Sequence, residues 1–143
     1  MLPRPARLRA LAQAYECFPA LATKRGVSAA ALSGGQQQML AIAQALMPGP
    51  AILMLDEPSA GLAPAIVLQV IKTVARLKSE GLGILLVEQL VDQAMSVADH
   101  VIVLEHGRNL LTGSAAEIDA KQVREIYLRG QALTPSRPQI VDC

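Results

Sequence analysis

The chain has 143 residues, 52% hydrophobic and 17% charged, which excludes an intrinsically disordered protein and is enough for one compact domain with a core. A net charge of +1 excludes a polybasic coat for nucleic acid or membrane, and the three aromatic residues, Tyr15, Phe18 and Tyr127, are too few for base-stacking platforms. Cys17 and Cys143 form neither a metal-ligand pattern nor a disulfide framework, which fits a reducing, cytosolic setting.

In chain order, residues 1–31 read as helix pieces divided by Pro3, Pro5, Pro19 and Gly26. Arg4, Arg7 and Arg9 read as a solvated face or a disordered start, and no clean apolar run precedes Glu16, so we expect no signal peptide. Residues 36–47 carry Met39, Leu40, Ile42, Ala43, Leu46 and Met47 at helical spacing, and MPGP stops that helix. AILML, residues 51–55, is a short apolar run of the kind found in a strand buried on both faces. The turn DEPSAGLAP follows, and Pro64 suits the first turn of a helix over residues 65–79. ILLVE, residues 84–88, predicts a second buried strand, and residues 91–98 a short helix. VIVLEHGRNLLTG predicts two strands with a turn at His106-Gly107, before a last helix over residues 116–128 and a loose tail over residues 131–143. Strand, helix, strand, helix is the grammar of an α/β protein with a parallel sheet. No segment reaches the ~18–20 apolar residues of a membrane-spanning helix, so any link to a membrane runs through a partner.

Two places carry chemistry. Asp56 and Glu57 follow the first strand directly, and ligands of parallel sheets bind beyond the carboxyl ends of the strands. One acid can reach a hard cation such as Mg²⁺ while the other faces a water; the alternative is a solvated turn. The second place is LSGGQQQM, residues 32–39. Ser33 and Gln36 match a capping box, which would close a helix start without any ligand. A capping box does not need Gly34 and Gly35, each of which costs up to ~1 kcal/mol against alanine in a helical turn. Paired glycines at a helix N-terminus also expose amides where the helix dipole favours an anion, and phosphate is the natural guest.

These same residues carry a resemblance. LSGGQ, residues 32–36, resembles the signature motif of ABC-type ATPases, and ILMLDEP, residues 52–58, resembles their Walker B strand with its catalytic glutamate, in the right order and at the right separation. SAGLAP, residues 59–64, is similar to the D-loop of the branched-chain amino acid importers; most ABC ATPases have aspartate where Ala63 stands. LLVEQ, residues 85–89, is similar to the switch region of the second ATPase of those importers, with Gln89 where most of the superfamily has histidine. YECFPAL and VREIYLRG also resemble that subfamily, so the likeness runs over roughly residues 15–130; urea-type importers share several of these features.

The resemblance implies an incomplete P-loop NTPase domain over residues 1–130, with part of the helical subdomain in residues 1–47 and the parallel-sheet core in residues 48–130. It implies ATP and Mg²⁺ as cofactors. Ser33, Gly34 and Gly35 would contact the γ-phosphate of ATP held by the opposite subunit, with Gln36 beside them. Asp56 would help hold Mg²⁺ through water, Glu57 would polarise the attacking water, and Gln89 would sit near the γ-phosphate. Ser59, Ala60, Gly61 and Leu62 would line the dimer seam. The implied partners are a second ABC ATPase subunit, membrane permease subunits and, indirectly, a periplasmic or extracellular binding protein, with the chain on the cytoplasmic face of the membrane. No nucleic acid is implied, and the lack of basic patches speaks against a translation or DNA-repair role.

One expected part is missing. No G-x-x-x-x-G-K-[ST] pattern occurs, and none of the four lysines, Lys24, Lys72, Lys78 and Lys121, follows the right glycines. The expectation is therefore the C-terminal part of such an ATPase, inactive alone. The alternative is a non-catalytic fragment that donates its signature motif to a partner. The strand over residues 84–87 would then present an open edge.

Overall fold

The computed structural model describes residues 4–132. They fall into two compact units that divide between Val97 and Ala98. The helix bearing the signature-like motif and the first strand belong to the same unit, because Met39, Ile42 and Ala43 share one core cluster with Leu53 and Leu55.

The first unit opens with helix α1 (Arg4–Cys17) and the short α2 (Pro19–Ala22). Pro5 does not break α1: in the first turn of a helix the missing N–H has no intrahelical acceptor to lose. A 3₁₀ turn (Ala29–Ala31) leads into α3 (Gly34–Leu46). Strand β1 (Ile52–Asp56), helix α4 (Pro64–Ser79) and strand β2 (Gly83–Val87) then form a β–α–β crossover, and the short α5 (Val91–Met95) follows. β1 and β2 run parallel, with Met54 opposite Leu85 and Asp56 opposite Val87.

Helix α4 is the spine of this unit. Val67, Val70, Ile71, Val74 and Leu77 recur at helical spacing and are all buried. Its end closes as a Schellman motif: Gly81, at φ +92, donates to Lys78 O at 2.9 Å, and Leu82 donates to Leu77 O at 3.1 Å.

Both strands were expected to be buried on both faces, and here the structure differs. Leu53 and Leu55 are 3% and 7% exposed, whereas Ile52 and Met54 on the other face are 65% and 71% exposed. Leu85 and Val87 extend that outer face along β2. Among the described residues a covering layer packs on one face only, so Met54 leaves the core to which its apolar character pointed. Among the described residues β2 pairs with β1 alone, and its other edge is open.

The second unit is an antiparallel hairpin of β3 (His100–Glu105) and β4 (Arg108–Ser114), followed by α6 (Ala120–Ala132). The turn at His106-Gly107 has φ +47 and +75, the backbone of a tight two-residue hairpin loop. α6 starts four residues later than expected, because Asp119 caps it: Lys121 N donates to Asp119 Oδ1 at 2.8 Å. Apart from its first two residues, which lie in α6, the expected tail falls outside the described residues.

Candidate functional site

β1 ends at Asp56, and the next residue turns the chain sharply. Glu57 sits at φ +44, a left-handed conformation that costs a non-glycine residue about 1–2 kcal/mol. Its amide still donates to Val87 O at 2.9 Å, so the kink occurs while the chain is pinned to the sheet. The Glu57 side chain lines an open cleft of about 650 Å³ together with Leu62, Val67 and Gln93.

The segment that follows is tightly wound. Ala60 N donates to Glu57 O at 3.0 Å and Leu62 N to Ser59 O at 3.1 Å, while Pro58 and Ser59 are buried. The opposite rim comes from the end of β2. Gln89 Nε2 donates to Glu57 Oε1 at 2.5 Å, joining residues that are 32 apart in the chain. Glu88 accepts from the backbone amides of Ser59 at 3.0 Å and Gln89 at 3.1 Å. Asp56, Glu57 and Glu88 thus place three carboxylates at one end of the sheet, and among the described residues none of them forms an ion pair.

The start of α3 is built differently. Ser33 is its N-cap and the capping box is complete: Gln36 N donates to Ser33 Oγ at 3.4 Å, and Ser33 N donates to Gln36 Oε1 at 3.2 Å. Gln37 Nε2 reaches back to the carbonyls of Ala29 and Leu32 and fixes the preceding turn. The two glycines separate. A Cβ on Gly35 would lie 2.7 Å from Ile66 Cγ2, so a bare backbone is what lets α3 pack on the first turn of α4. A Cβ on Gly34 would meet nothing within 4 Å. The packing of this chain therefore accounts for Gly35 and not for Gly34. The amides of both lie in the first turn, where a helix has no internal acceptors.

A nucleotide with its metal can be tested against these groups. Among the described residues no cluster of three or more His, Cys, Asp or Glu side chains could hold a metal. Asp56 is exposed, and none of its neighbours bonds to its carboxylate. A lone carboxylate suits Mg²⁺, which keeps several waters and takes its remaining oxygens from phosphate. The open space at Gly34, at the positive end of the α3 dipole, suits a phosphate.

Comparison with known proteins points to ATP-binding proteins of ABC transporters. The family profile described as ABC transporter matches residues 5–60. The high-affinity branched-chain amino acid transport ATP-binding protein BraG of Pseudomonas aeruginosa is 47% identical over 117 residues, which are 80% of this chain and 50% of that protein. This chain is homologous to the ATP-binding proteins of ABC transporters. A second relative, the lipopolysaccharide export system ATP-binding protein LptB of Acidithiobacillus ferridurans, is 36% identical over 70% of this chain and 42% of its own length. The solved structure of cbiO1 from Clostridium perfringens, part of the ABC transporter complex cbiONQ, superposes with a TM-score of 0.75 at 29% identity, covering 92% of this chain and 53% of that one. The chain thus spans about half the length of the ABC relatives it matches.

Of the residues expected to act in an ABC ATPase, Glu57, Ser59, Ala60, Gly61, Leu62 and Gln89 line one cleft. Asp56 adjoins it along the chain without lining it. Ser33, Gly34, Gly35 and Gln36 stand outside it and are joined to α4 by the Gly35–Ile66 contact. From the sequence, Glu88 is an acid after a strand, able to approach the site or to serve structure, and Gln37 carries no signal. Both act on groups brought near by folding, and only the acid directly after a strand was a visible signal.

Proposed function

We propose that the chain supplies hydrolytic machinery to an ABC importer of branched-chain or related amino acids. The observation that carries this reading is the Gln89–Glu57 hydrogen bond in a cleft at the carboxyl end of parallel strands, beside the exposed Asp56. The identity to BraG supports the substrate class; the likeness to LptB, a protein of lipopolysaccharide export, makes substrate a matter for transport assays.

ATP with Mg²⁺, when bound, supplies the electrophilic phosphorus and offsets its developing charge. Asp56 helps hold the metal through water. Glu57 Oε2, the oxygen not taken by Gln89, accepts a hydrogen bond from the attacking water and takes up its proton. Gln89 fixes the Glu57 rotamer; its amide orients but cannot take a proton as an imidazole can. The first turn of α3, where Ser33 and Gly34 are exposed and Gly35 and Gln36 lie beside them, faces the γ-phosphate of a nucleotide held by another ABC ATPase subunit, alike or different. Ser59, Ala60, Gly61 and Leu62 lie at the seam between the two. The assembly docks on permease subunits at the cytoplasmic face, served by a periplasmic or extracellular binding protein. No helix among the described residues is long and apolar enough to cross a membrane itself.

The test is Glu57→Gln in the chain assembled with the polypeptide that carries a phosphate loop. ATP binding should persist while turnover falls by about 10²-fold or more. Turnover near the parent rate would remove Glu57 from its role.

A further inference from the structure

Glu88 uses both oxygens of its carboxylate. Oε1 accepts the amide of Ser59 at 3.0 Å, and Oε2 accepts the amides of Gln89 at 3.1 Å and Leu90 at 3.5 Å. One side chain therefore ties the loop after β1 to the loop after β2. Ser59 is 5% exposed, so its N–H has little access to water and would be left without an acceptor if Glu88 were removed. Only a carboxylate fills this place. A glutamine offers one accepting oxygen and an NH₂ that repels the second amide, and an aspartate has a shorter stem.

The consequence reaches Glu57. The Gln89 backbone is held on Glu88 Oε2, and the side chain of the same residue donates to Glu57 Oε1. We propose that Glu88 is a positioning residue: by clamping Ser59 and Gln89 on its two oxygens, it sets the Gln89 amide against Glu57 and links residues 59–62 to that pair. A displacement of that loop then reaches the Gln89–Glu57 bond through one carboxylate. The inference deepens the hydrolytic reading of Glu57 and rests on it for its functional meaning; the geometry it predicts does not depend on nucleotide. A staple that merely stabilises the fold would leave the Gln89 side chain in place when Glu88 is weakened.

NMR on the isotopically labelled chain separates these. In the parent chain, scalar couplings across the hydrogen bond should connect the Ser59 amide nitrogen to the Glu88 carboxylate carbon. In Glu88→Gln, exchange protection at the Ser59 or Gln89 amide should fall about tenfold or more. The Gln89 side-chain NH₂ signals should move toward their position in Glu57→Ala, where their acceptor is gone. Glu88→Asp should move them the same way by less. The proposal is overturned if the Ser59–Glu88 coupling is absent from the parent chain. It is equally overturned if Ser59 loses protection while the Gln89 side-chain signals in both Glu88 variants stay at the parent position. These readings use no ATP, so unimpaired turnover in Glu57→Gln would remove the hydrolytic reading without touching this one.

Discussion

The two glycines of the α3 start make opposite predictions from one motif. Gly34→Ala adds a methyl where nothing lies within 4 Å, so only the helix preference of alanine acts, and the chain should gain up to about 1 kcal/mol. Gly35→Ala adds one at 2.7 Å from Ile66 Cγ2 and 3.2 Å from Cγ1. Ile66 is β-branched and partly buried against the core, so it cannot rotate away freely. Overpacking of that kind costs about 1–3 kcal/mol and the helix-preference gain is shared, so Gly35→Ala should leave the chain about 1–3 kcal/mol less stable than Gly34→Ala. Thermal unfolding followed by circular dichroism resolves the two, since 1 kcal/mol shifts Tm by roughly 4–8 °C in a unit of about 100 residues. A Gly35→Ala chain as stable as the Gly34→Ala chain, or a Gly34→Ala chain less stable than the parent, would refute the steric division. In the assembled ATPase, Gly34→Ala should lower turnover despite its added stability, because the methyl intrudes where a phosphate would approach.

Leu53 and Met54 are neighbours on β1 with opposite burial, 3% and 71% exposed. Leu53→Ala should cost about 2–5 kcal/mol and Met54→Ala within about 0.5 in urea unfolding of the chain; equal costs would contradict the one-sided sheet. Isothermal titration of the 143-residue chain with ATP and Mg²⁺ should give no micromolar binding, since no phosphate-loop pattern is present, and a micromolar Kd would sink that expectation.

The outer face of the sheet bears on how this chain is handled in solution. Ile52, Met54, Leu85 and Val87 are all half or more exposed, next to an open strand edge on β2. Open edges of apolar strands invite pairing with other chains, so dilute conditions are needed for each of these measurements.

Much of the site was legible because it is local. A strand followed by two acids, a Ser-x-x-Gln helix start, and glycines inside that start are all contained within a few residues, and each formed as read. The parallel β–α–β order also followed from periodicity and turn residues alone, because α4 carries its apolar positions at 3.6-residue spacing with Pro64 at its head. Pro5 misled because proline breaks a helix only where an interior N–H is lost, and the sequence does not say that α1 starts at Arg4. The strand faces misled because an apolar run records what a residue can tolerate, not what covers it.

By itself, the sequence determined the elements, the residue types at the carboxyl ends of the strands, and the family resemblance that organises them. Tertiary structure alone decided the rest. It set Gly35 against Ile66 and left Gly34 bare, kinked Glu57 into the cleft, and placed Gln89 and Glu88 on partners 32 and 29 residues away. The physical reason is that helix and strand periodicity depends on residues only two to four apart. Steric fit and hydrogen bonding depend on which distant segments the folded core brings within a few ångströms.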